Sequence, residues 1–311
     1  MSVDIKQLKY KNFGNCISIS NGHIEIIVTI DIGPRIISFK LKSKSNIFYN
    51  DINRFYSYKG IALDNYYGPG SVFYYYGGHL IEIIPKTWPQ TYFPDNSPVV
   101  YSVLPNGASF SQPVQEKNKL ELSLEILMNE NTCDLMIINS IKNLSEEKRI
   151  LSLSGTTQLC PNGILVIPQN PPSSNNLIPN RSFAFWPYTK MNDERLFIGD
   201  KYITVNHNKN VGNKLKIGMN NYSNWASYLV DGCLFTKNYV HNKKARYPDF
   251  NSSFELYADK NLLEVSSISP LYDIKPNEII RHVENWSLCE CDKKLLPRNE
   301  NNIDDLFNNF L

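Results

Sequence analysis

No long hydrophobic run occurs in the 311 residues of this sequence, and none approaches the roughly 20 apolar residues of a membrane-spanning helix. Residues 1–12 alternate charges with single apolar side chains and lack the continuous apolar segment of a signal peptide. An excess of one charge is absent too, because 32 Lys and Arg face 30 Asp and Glu. We therefore predict a cytoplasmic protein that binds neither membranes nor nucleic acid, since both partners favour a strongly basic surface.

Cysteine is present but indicates neither a disulfide framework nor a metal centre. Six cysteines are dispersed through a chain long enough to build a core without covalent staples, so we expect reduced thiols. Only Cys289 and Cys291 are close together, and on a strand they would share a face. A zinc site needs four ligands, and no second pair or nearby histidine completes the set. We therefore predict no metal site, and we predict no cofactor.

Helical periodicity is scarce, and an alternation of apolar and polar residues takes its place. It begins over residues 24–32, where Ile or Val occupies every second position. The alternation returns near residues 120–126, 135–137, 183–185, 203–205, 254–256 and 280–288. Only residues from about 303 to 311 read as a helical turn or two. The pattern predicts an all-β protein.

Turn residues divide these strands, but no linker divides the chain. Asn, Gly and Pro mark turns at residues 105–107, 161–163 and 171–176. No Gly/Ser-rich segment separates two regions of different composition. Sandwiches often keep one core at this length, because many short strands can stack on two sheets. We therefore predict a single domain over residues 1–311, with a short helical tail at about 303–311.

A glycine pair before a histidine, with the loop that follows, forms the first candidate site. Gly77 and Gly78 permit unusual dihedrals, so His79 could be presented to a ligand. The alternative is a structural histidine after a tight turn. Residues 88–96 (WPQTYFPDN) are too irregular for a core strand and are typical of a loop that builds a site. The substrate-binding candidates in this loop are Tyr92, Asp95 and Asn96.

The last predicted strand carries the second candidate. Its two-residue period places His282, Glu284 and Trp286 on one face. The carboxylate would raise the pKa of the imidazole, and the two groups could transfer a proton beside an indole on which a sugar stacks. If this face meets solvent instead, the two charged groups form an ordinary surface ion pair worth well under ~1 kcal/mol.

The third candidate is Glu264, a single carboxylate in the apolar segment 262–267 (LLEVSS), with Ser266 on the same face. A carboxylate in such a setting has a raised pKa, as a general base for an anomeric hydroxyl requires. The alternative is exposure on an edge strand. Arg35 and Trp186 are the remaining candidates. The guanidinium of Arg35 offers several hydrogen-bond donors in one plane, and the indole of Trp186 offers a face on which a sugar can stack. Arg35 could equally pair with a structural acid, and Trp186 could fill the core.

Taken in order, several segments resemble the galactose mutarotase-like (aldose 1-epimerase) superfamily, and more closely a bacterial branch of unknown function. They cover most of the chain, and their order and spacing carry the likeness. The segments are residues 28–39 (VTIDIGPRIISF), 77–99 (GGH through TYFPDNSPV), 186–189 (WPYT), 216–218 (KIG), 247–249 (YPD), 263–271 (LEVSSISPL) and 275–286 (KPNEIIRHVENW). The resemblance implies a large antiparallel β-sandwich with a sugar lying across a concave sheet.

The resemblance also implies roles for single residues. In mutarotases a histidine protonates the ring oxygen while a glutamate removes the anomeric proton. Glu264 resembles that base, and His79 resembles an earlier, substrate-contacting histidine. Arg35 or His282 would hold hydroxyls. The strand that carries the acid histidine in mutarotases reads SGTTQ here, at residues 154–158, and hydroxyl and amide groups are poor proton donors near neutral pH.

Three functions are compatible with these residues, all with a small carbohydrate or sugar derivative as partner. The first is an epimerase-like isomerase, in which Glu264 is the base, His79 or His282 is the acid and a tryptophan is the stacking surface. The second is a carbohydrate-binding or sensing module without catalysis. The third is a lyase or hydrolase that acts on a polysaccharide fragment, with Asp95 or Glu284 as its second acid.

Overall fold

Two large antiparallel sheets form most of the protein, as the alternating pattern predicts. The computed structural model describes residues 2–172 and 177–308. Within them, sheet A has 11 strands, sheet B has 10, and a separate hairpin has 2. The prediction of an all-β antiparallel sandwich is confirmed.

Strands and helices are numbered in chain order. Sheet A contains β1 Asp4–Lys9, β2 Asn15–Ser20, β3 Ile24–Thr29, β4 Ile36–Leu41, β7 Gly78–Ile84, β12 Arg149–Leu159, β14 Phe183–Phe185, β17 Leu215–Met219, β20 Phe254–Ala258, β21 Leu263–Ile268 and β22 Tyr272–Ile274. Sheet B contains β8 Val100–Leu104, β9 Gly107–Ser111, β10 Leu120–Met128, β11 Asp134–Asn143, β13 Ile164–Pro168, β15 Leu196–Ile198, β16 Tyr202–Asn206, β18 Trp225–Val230, β19 Cys233–Tyr239 and β23 Ile279–Glu290. The hairpin is β5 Ser57–Lys59 with β6 Val72–Tyr74, and the helical segments are α1 Ile61–Tyr67, α2 Pro248–Asn251 and α3 Glu300–Phe307.

The strand order brings distant parts of the chain side by side. Sheet A runs β1-β2-β3-β4-β7-β12-β21-β20-β17-β14, and β22 pairs with one end of β12. Sheet B runs β15-β16-β13-β18-β19-β23-β11-β10-β9-β8. The middle of sheet A is therefore built from β7, β12, β21, β20 and β17, which come from both halves of the sequence.

The main core lies between the inner faces of the two sheets. In β21, Leu263 and Val265 belong to this core, so Glu264 between them faces away from sheet B. Four rings fill the centre of the core, with centroids 5.4 to 6.1 Å apart; they belong to Phe39, Phe48, Phe235 and Trp286. The sandwich thus has an aromatic centre and an outer face of sheet A that carries Glu264.

The C-terminal helix begins earlier than the predicted tail. α3 starts after Asn299, whose side chain accepts from the backbone N–H of Asn302 and so caps the first turn. Phe307 packs on Trp225 with ring centroids 4.8 Å apart. Residues 309–311 of the predicted tail and 173–176 of the predicted turn lie outside the described residues. In the part of the chain that the structure describes, no helix is long and apolar enough to cross a membrane.

Candidate active site

Four of the predicted site residues lie in the interior between the sheets: His79, His282, Glu284 and Trp286. Nδ1 of His79 is 2.9 Å from Oγ1 of Thr157, and its Nε2 is 3.0 Å from Oδ1 of Asn139 on sheet B. Burial, with Lys237 nearby, lowers the pKa of His79 well below its ordinary value. His79 is therefore a neutral, hydrogen-bonded residue of the interior, which is the structural alternative considered for it.

A buried ion pair lies beside this histidine. Nζ of Lys237 on β19 is 3.0 Å from Oε1 of Glu284 on β23, and it donates to the carbonyl of Gly155 on β12 at 2.6 Å. Ser267 also donates to Oε1 of Glu284, and Nε1 of Trp286 donates to Oε2 at 2.9 Å. The carboxylate of Glu284 is thus surrounded by donors, as a buried charge requires.

His282 shares this interior face with Glu284, as the two-residue period predicts. Its Nε2 is 2.7 Å from Oγ of Ser267. Burial lowers the pKa of His282 to about 4, although the nearby carboxylate of Glu284 acts in the opposite direction. Glu284 thus acts in the predicted direction, but the loss of solvation is the larger effect and the net pKa of His282 is lowered.

The glycine pair before His79 has a structural role in the backbone. Gly77 and Gly78 have φ of 101° and 69°, a region that favours glycine. A Cβ at Gly77 would overlap the carbonyl of Tyr49, and one at Gly78 would overlap the carbonyl of Ile36. The glycines therefore allow neighbouring segments to approach closely, and the histidine after them turns inward.

Arg35 and Asp95 form an ion pair with each other. Nη1 of Arg35 is 2.5 Å from Oδ2 of Asp95, and both side chains are almost fully buried. Burial raises the pKa of Asp95 although Arg35 opposes the shift. Asn96 accepts from the hydroxyl of Tyr76 at 2.6 Å. The guanidinium is thus engaged by a structural acid, which is the alternative interpretation of Arg35.

Glu264 lies on the outer face of sheet A and is half-buried. Nε2 of Gln158 on β12 donates to its Oε2 at 2.9 Å. Burial, reinforced by the charge of Glu82, raises the pKa of Glu264 to about 7. Of the three residues predicted to be catalytic, it alone combines access from outside with titration near neutral pH.

The register of β12 explains why the predicted trio is not assembled. His79 is paired with Thr157, whereas Glu264 is paired with the next residue, Gln158. Successive residues of a strand point to opposite faces, so the imidazole and the carboxylate are separated by the sheet. His282 reaches the same inner face from sheet B. The expectation that Glu264 shares one hollow with the two histidines is therefore wrong.

Glu82 on β7 is a site residue that the sequence analysis missed. Its Oε2 accepts from Oγ1 of Thr156 at 2.8 Å, and its Oε1 is paired with Lys86. Burial opposes its ionisation, but Lys86 and Thr156 outweigh that effect and lower the pKa of Glu82. The available signal was a lone carboxylate in the apolar strand 78–84 (GHLIEII), the same signal that identified Glu264.

Lys216 on β17 connects the charged groups of this face. Its Nζ is 2.9 Å from Oε2 of Glu255 on β20 and lies 4.1 Å from the ring centre of Trp186. Glu255, and to a smaller extent Glu264 and Glu82, raise the pKa of Lys216 against the effect of burial. Trp186 is half-buried here and does not fill the core. A cation among carboxylates and an indole gives this face polar and apolar contacts together.

Aromatic rings surround the charged groups. Tyr58 from the hairpin is 4.9 Å from Tyr92 between ring centroids, and Tyr92 is 5.2 Å from Trp88. Burial is the main cause of the raised pKa of the tyrosines here, and Glu264 contributes to each; they are Tyr58, Tyr75, Tyr92 and Tyr188. We call the outer site the set Glu82, Lys86, Lys216, Glu255 and Glu264 with the rings Tyr58, Tyr75, Tyr92, Trp186 and Tyr188. Of the predicted residues, Glu264, Tyr92 and Trp186 meet in it.

The outer site has the groups that proton transfer and sugar binding require. Glu264 titrates near neutral pH, Glu82 and Lys216 supply fixed charges, and the ring faces offer stacking surfaces. Among residues 2–172 and 177–308, no group of three or more His, Cys, Asp or Glu is arranged to hold a metal ion.

Comparison with known proteins places this geometry in a known architecture. No protein-family model and no curated protein matches the sequence. Solved structures do match: a galactose mutarotase-like protein from Lactobacillus casei has a TM-score of 0.57 at 11% identity, with 88% of this chain and 100% of that chain covered. The chain has the galactose mutarotase-like fold. The fold expected from the sequence resemblance is thereby confirmed.

Two further solved structures also match this chain. A galactose mutarotase related enzyme from Lactobacillus acidophilus has a TM-score of 0.51 at 12% identity, with 90% of this chain and 100% of that chain covered. A TPR-domain containing protein from Parabacteroides distasonis has a TM-score of 0.58 at 15% identity, with 91% of this chain covered. This chain spans only 48% of the latter protein. At such low identities the likeness concerns the fold alone.

Proposed function

We propose that this galactose mutarotase-like protein is a sugar isomerase of the mutarotase or epimerase type, with its site on the outer face of sheet A. The observation that carries the proposal is Glu264, which is half-buried among tyrosine rings and has a pKa raised to about 7. Two of the matching structures are described as galactose mutarotase-like or galactose mutarotase related. These descriptions support a sugar as the ligand.

Glu264 acts as the general base. Its carboxylate removes the proton of the anomeric hydroxyl, the bond between C1 and the ring oxygen breaks, and the sugar recloses on its other face. A base with a pKa near the working pH is both ionised and strong enough to accept a proton. Gln158, whose amide donates to Oε2 of Glu264, holds the carboxylate in place for this transfer.

The aromatic residues of the outer site form the sugar platform. The C–H face of a pyranose packs on a ring while its hydroxyls seek polar partners. Trp186 supplies a half-buried indole beside Lys216, and Tyr92 supplies a phenol near Lys86. A neutral sugar suits this site, because each lysine is already paired with a glutamate.

The second candidate is a non-catalytic carbohydrate-binding module. The inward orientation of His79 and His282 favours it, because neither imidazole reaches the outer site to protonate a ring oxygen. The lyase or hydrolase hypothesis loses support, because both candidates for its second acid are in buried ion pairs. Asp95 is paired with Arg35, and Glu284 is paired with Lys237. Catalysis and simple binding thus remain the two functions to separate.

The test is the interconversion of α and β anomers, followed by NMR for a panel of free aldohexoses and aldopentoses. We expect the protein to accelerate it, with a rate that rises with pH through about 7 as Glu264 ionises. Replacement by Glu264→Gln keeps the shape and the hydrogen-bonding capacity of the side chain but removes the base. We expect at least a 100-fold loss of rate, in line with the usual ~10²–10⁴-fold contribution of a general base.

The matched control is Glu25→Gln on β3, a carboxylate paired with Lys40 outside the outer site. It should leave the rate unchanged. Binding of the same sugars without any acceleration would establish the module instead. If Glu264→Gln retains the wild-type rate in a protein that does accelerate, Glu264 is not the base.

A further inference from the structure

A cleft lies at the end of sheet A where β12 finishes and β21 begins. Its walls come from residues between 49 and 55, from Pro161, and from residues 209–210 and 260–261. The cleft has a volume of about 570 Å³, and sites for small molecules usually have about 300–1,000 Å³. The space is therefore sufficient for a ligand of the size of a sugar.

Tyr49 connects this cleft with the outer site. Phe48 pairs with Leu159 at the end of β12, and both side chains lie in the core, so the next side chain, Tyr49, lies on the outer face. The backbone N–H of Tyr49 donates to the carbonyl of Gln158 at 2.9 Å. Gln158 is the residue whose amide donates to Glu264. A ring that lines the cleft is thus next to the residue that holds the proposed base.

Hydrogen bonds fix the wall between the cleft and Glu264. Tyr257 is directly opposite Glu264 on the neighbouring strand, and its hydroxyl donates to Oδ2 of Asp259 at 3.2 Å. The hydroxyl of Tyr56 donates to the same oxygen at 2.6 Å and accepts from Nδ2 of Asn261 at 2.9 Å. Asn261 lines the cleft and precedes Glu264 by three residues, which span at most about 10 Å of chain. A unit attached to a sugar beside Glu264 can therefore reach the cleft.

The lining of the cleft combines apolar and polar surface. Phe55 is 69% exposed and Ile52 is 43% exposed, so an apolar surface is open to the C–H face of a sugar. Asn53 and Asn210 are exposed in the same lining. Their amide groups both donate and accept hydrogen bonds, as the binding of hydroxyl groups requires. The cleft thus offers the two kinds of contact that a sugar makes.

Asp51 holds the loop that carries Phe55. This carboxylate is 1% exposed, and its oxygens accept from the backbone N–H groups of Phe55 at 2.9 Å and Tyr56 at 2.8 Å. Both oxygens have a donor, so Asp51 adds no open negative charge to the cleft. The exposed ammonium groups of Lys209 and Lys260 add donors for hydroxyl groups. Since the loop is already ordered, little further ordering opposes the binding of a sugar on Phe55.

We propose that this cleft is a second sugar subsite and that the protein isomerises the reducing end of a disaccharide or longer oligosaccharide. This inference rests on the proposed isomerase function and names its substrate class. The reducing-end sugar lies at Glu264 among the rings of the outer site, and the next sugar packs on Phe55. The cleft does not touch the reacting atoms, so its contacts strengthen the binding of substrate and transition state alike. Such contacts lower KM and leave kcat unchanged.

The experiment compares disaccharides with the monosaccharide at their reducing end. Anomer interconversion is followed by NMR for glucose and for maltose, cellobiose, laminaribiose and gentiobiose, which share a reducing-end glucose and differ in linkage. We expect at least one disaccharide to have a kcat/KM at least ~10-fold above that of glucose, through a lower KM. Phe55→Ala should lower kcat/KM for that disaccharide at least ~5-fold more than for glucose, because the second sugar loses its stacking surface.

The control is Tyr101→Ala on β8 of sheet B, which removes a partly exposed ring outside both sites. It should keep the wild-type preference for the disaccharide. If the wild-type protein isomerises glucose at least as efficiently as every disaccharide, the second subsite is overturned and the proposed function stands. The same conclusion follows if Phe55→Ala changes kcat/KM for glucose and for the disaccharide equally.

Calorimetric titration provides a readout that does not depend on turnover. We expect the wild-type protein and Glu264→Gln to bind the preferred disaccharide at least ~10-fold more tightly than glucose. Phe55→Ala should lose most of this difference. Equal affinities for glucose and for all four disaccharides would overturn the subsite. If no sugar is isomerised, the proposed function fails, whereas a difference in affinity that depends on Phe55 would still support the second subsite in a binding module.

Discussion

Gly155 on β12 lies directly against the carboxylate of Glu284 on β23, so that a Cβ at position 155 would overlap Oε1. The carbonyl of the same glycine accepts from Nζ of Lys237 at 2.6 Å. One residue without a side chain therefore provides both the space and an acceptor for the ion pair buried between the sheets. This relationship gives the interior polar groups a testable role in stability.

Substitution of Gly155 by Ala should destabilise the protein. The added methyl group must displace the carboxylate of Glu284 in a packed interior, and overpacking of this kind costs about 1–3 kcal/mol. Chemical denaturation of the two proteins measures the difference in the free energy of unfolding. Gly212→Ala is the control, since a Cβ there has no neighbour within 4 Å. Equal destabilisation by both changes would contradict this account.

Removal of one partner of the buried ion pair should cost more than removal of both. Lys237→Met leaves Glu284 uncompensated, and breaking a buried pair in this way costs about 3–5 kcal/mol. Combining it with Glu284→Gln should restore part of the loss, which a double-mutant cycle quantifies. The exposed pair of Lys148 and Asp273 is the comparison, and Lys148→Met should cost no more than about 1 kcal/mol. Strict additivity in the buried cycle would refute the coupling.

His282 should make the protein less stable in mild acid. Its pKa is lowered from 6.5 to about 4 in the folded protein, so the unfolded chain binds the proton more readily. The stabilisation is therefore complete above pH 6.5, is lost as the pH falls from 6.5 to 4, and changes no further below that. The loss is on the order of 3 kcal/mol. In denaturation experiments across this range, the difference in the free energy of unfolding between the wild type and His282→Asn should become smaller towards pH 4. A difference that stays constant with pH would count against the prediction. The exposed His23→Asn is the control.

The two tryptophans should respond differently to replacement by alanine. Trp186 is half-buried in the outer site, so Trp186→Ala should weaken sugar binding about 10-fold, or ~1.4 kcal/mol, with a small effect on stability. Trp286 is 1% exposed in the core, so its loss should cost about 3–5 kcal/mol of stability. Calorimetric titration and denaturation of both variants measure the two effects. Loss of binding only in a fully folded Trp286→Ala protein would place the sugar elsewhere.

Much of the fold could be predicted because the alternation of side chains is local information. The period of two over residues 24–32 and 280–288 identified strands that the structure contains as β3 and β23. Alternation does not reveal which strands pair with each other. β12 pairs with β7 and β21, which are far from it in the sequence, and such long-range pairing leaves no local signal.

Part of the candidate site could also be predicted from local sequence patterns. A lone carboxylate in an apolar strand indicated Glu264, and the same argument applied to residues 78–84 would have indicated Glu82. The same signal was present for Glu255, the single carboxylate of β20 (FELYA), and for Lys216, the single charge of β17 (LKIGM).

The amino-acid pattern alone determined which residues share a face of a strand, since alternation follows from backbone geometry. It placed Glu284 and Trp286 together with His282, and it separated Glu264 from its apolar neighbours. Only the tertiary structure decided which face meets the second sheet and which meets solvent. That choice depends on the pairing of β12, where His79 and Glu264 are matched to adjacent residues and are therefore directed to opposite sides. A shift of one residue in the pairing of β7 with β12 would turn His79 to the outer face, on which Glu264 lies.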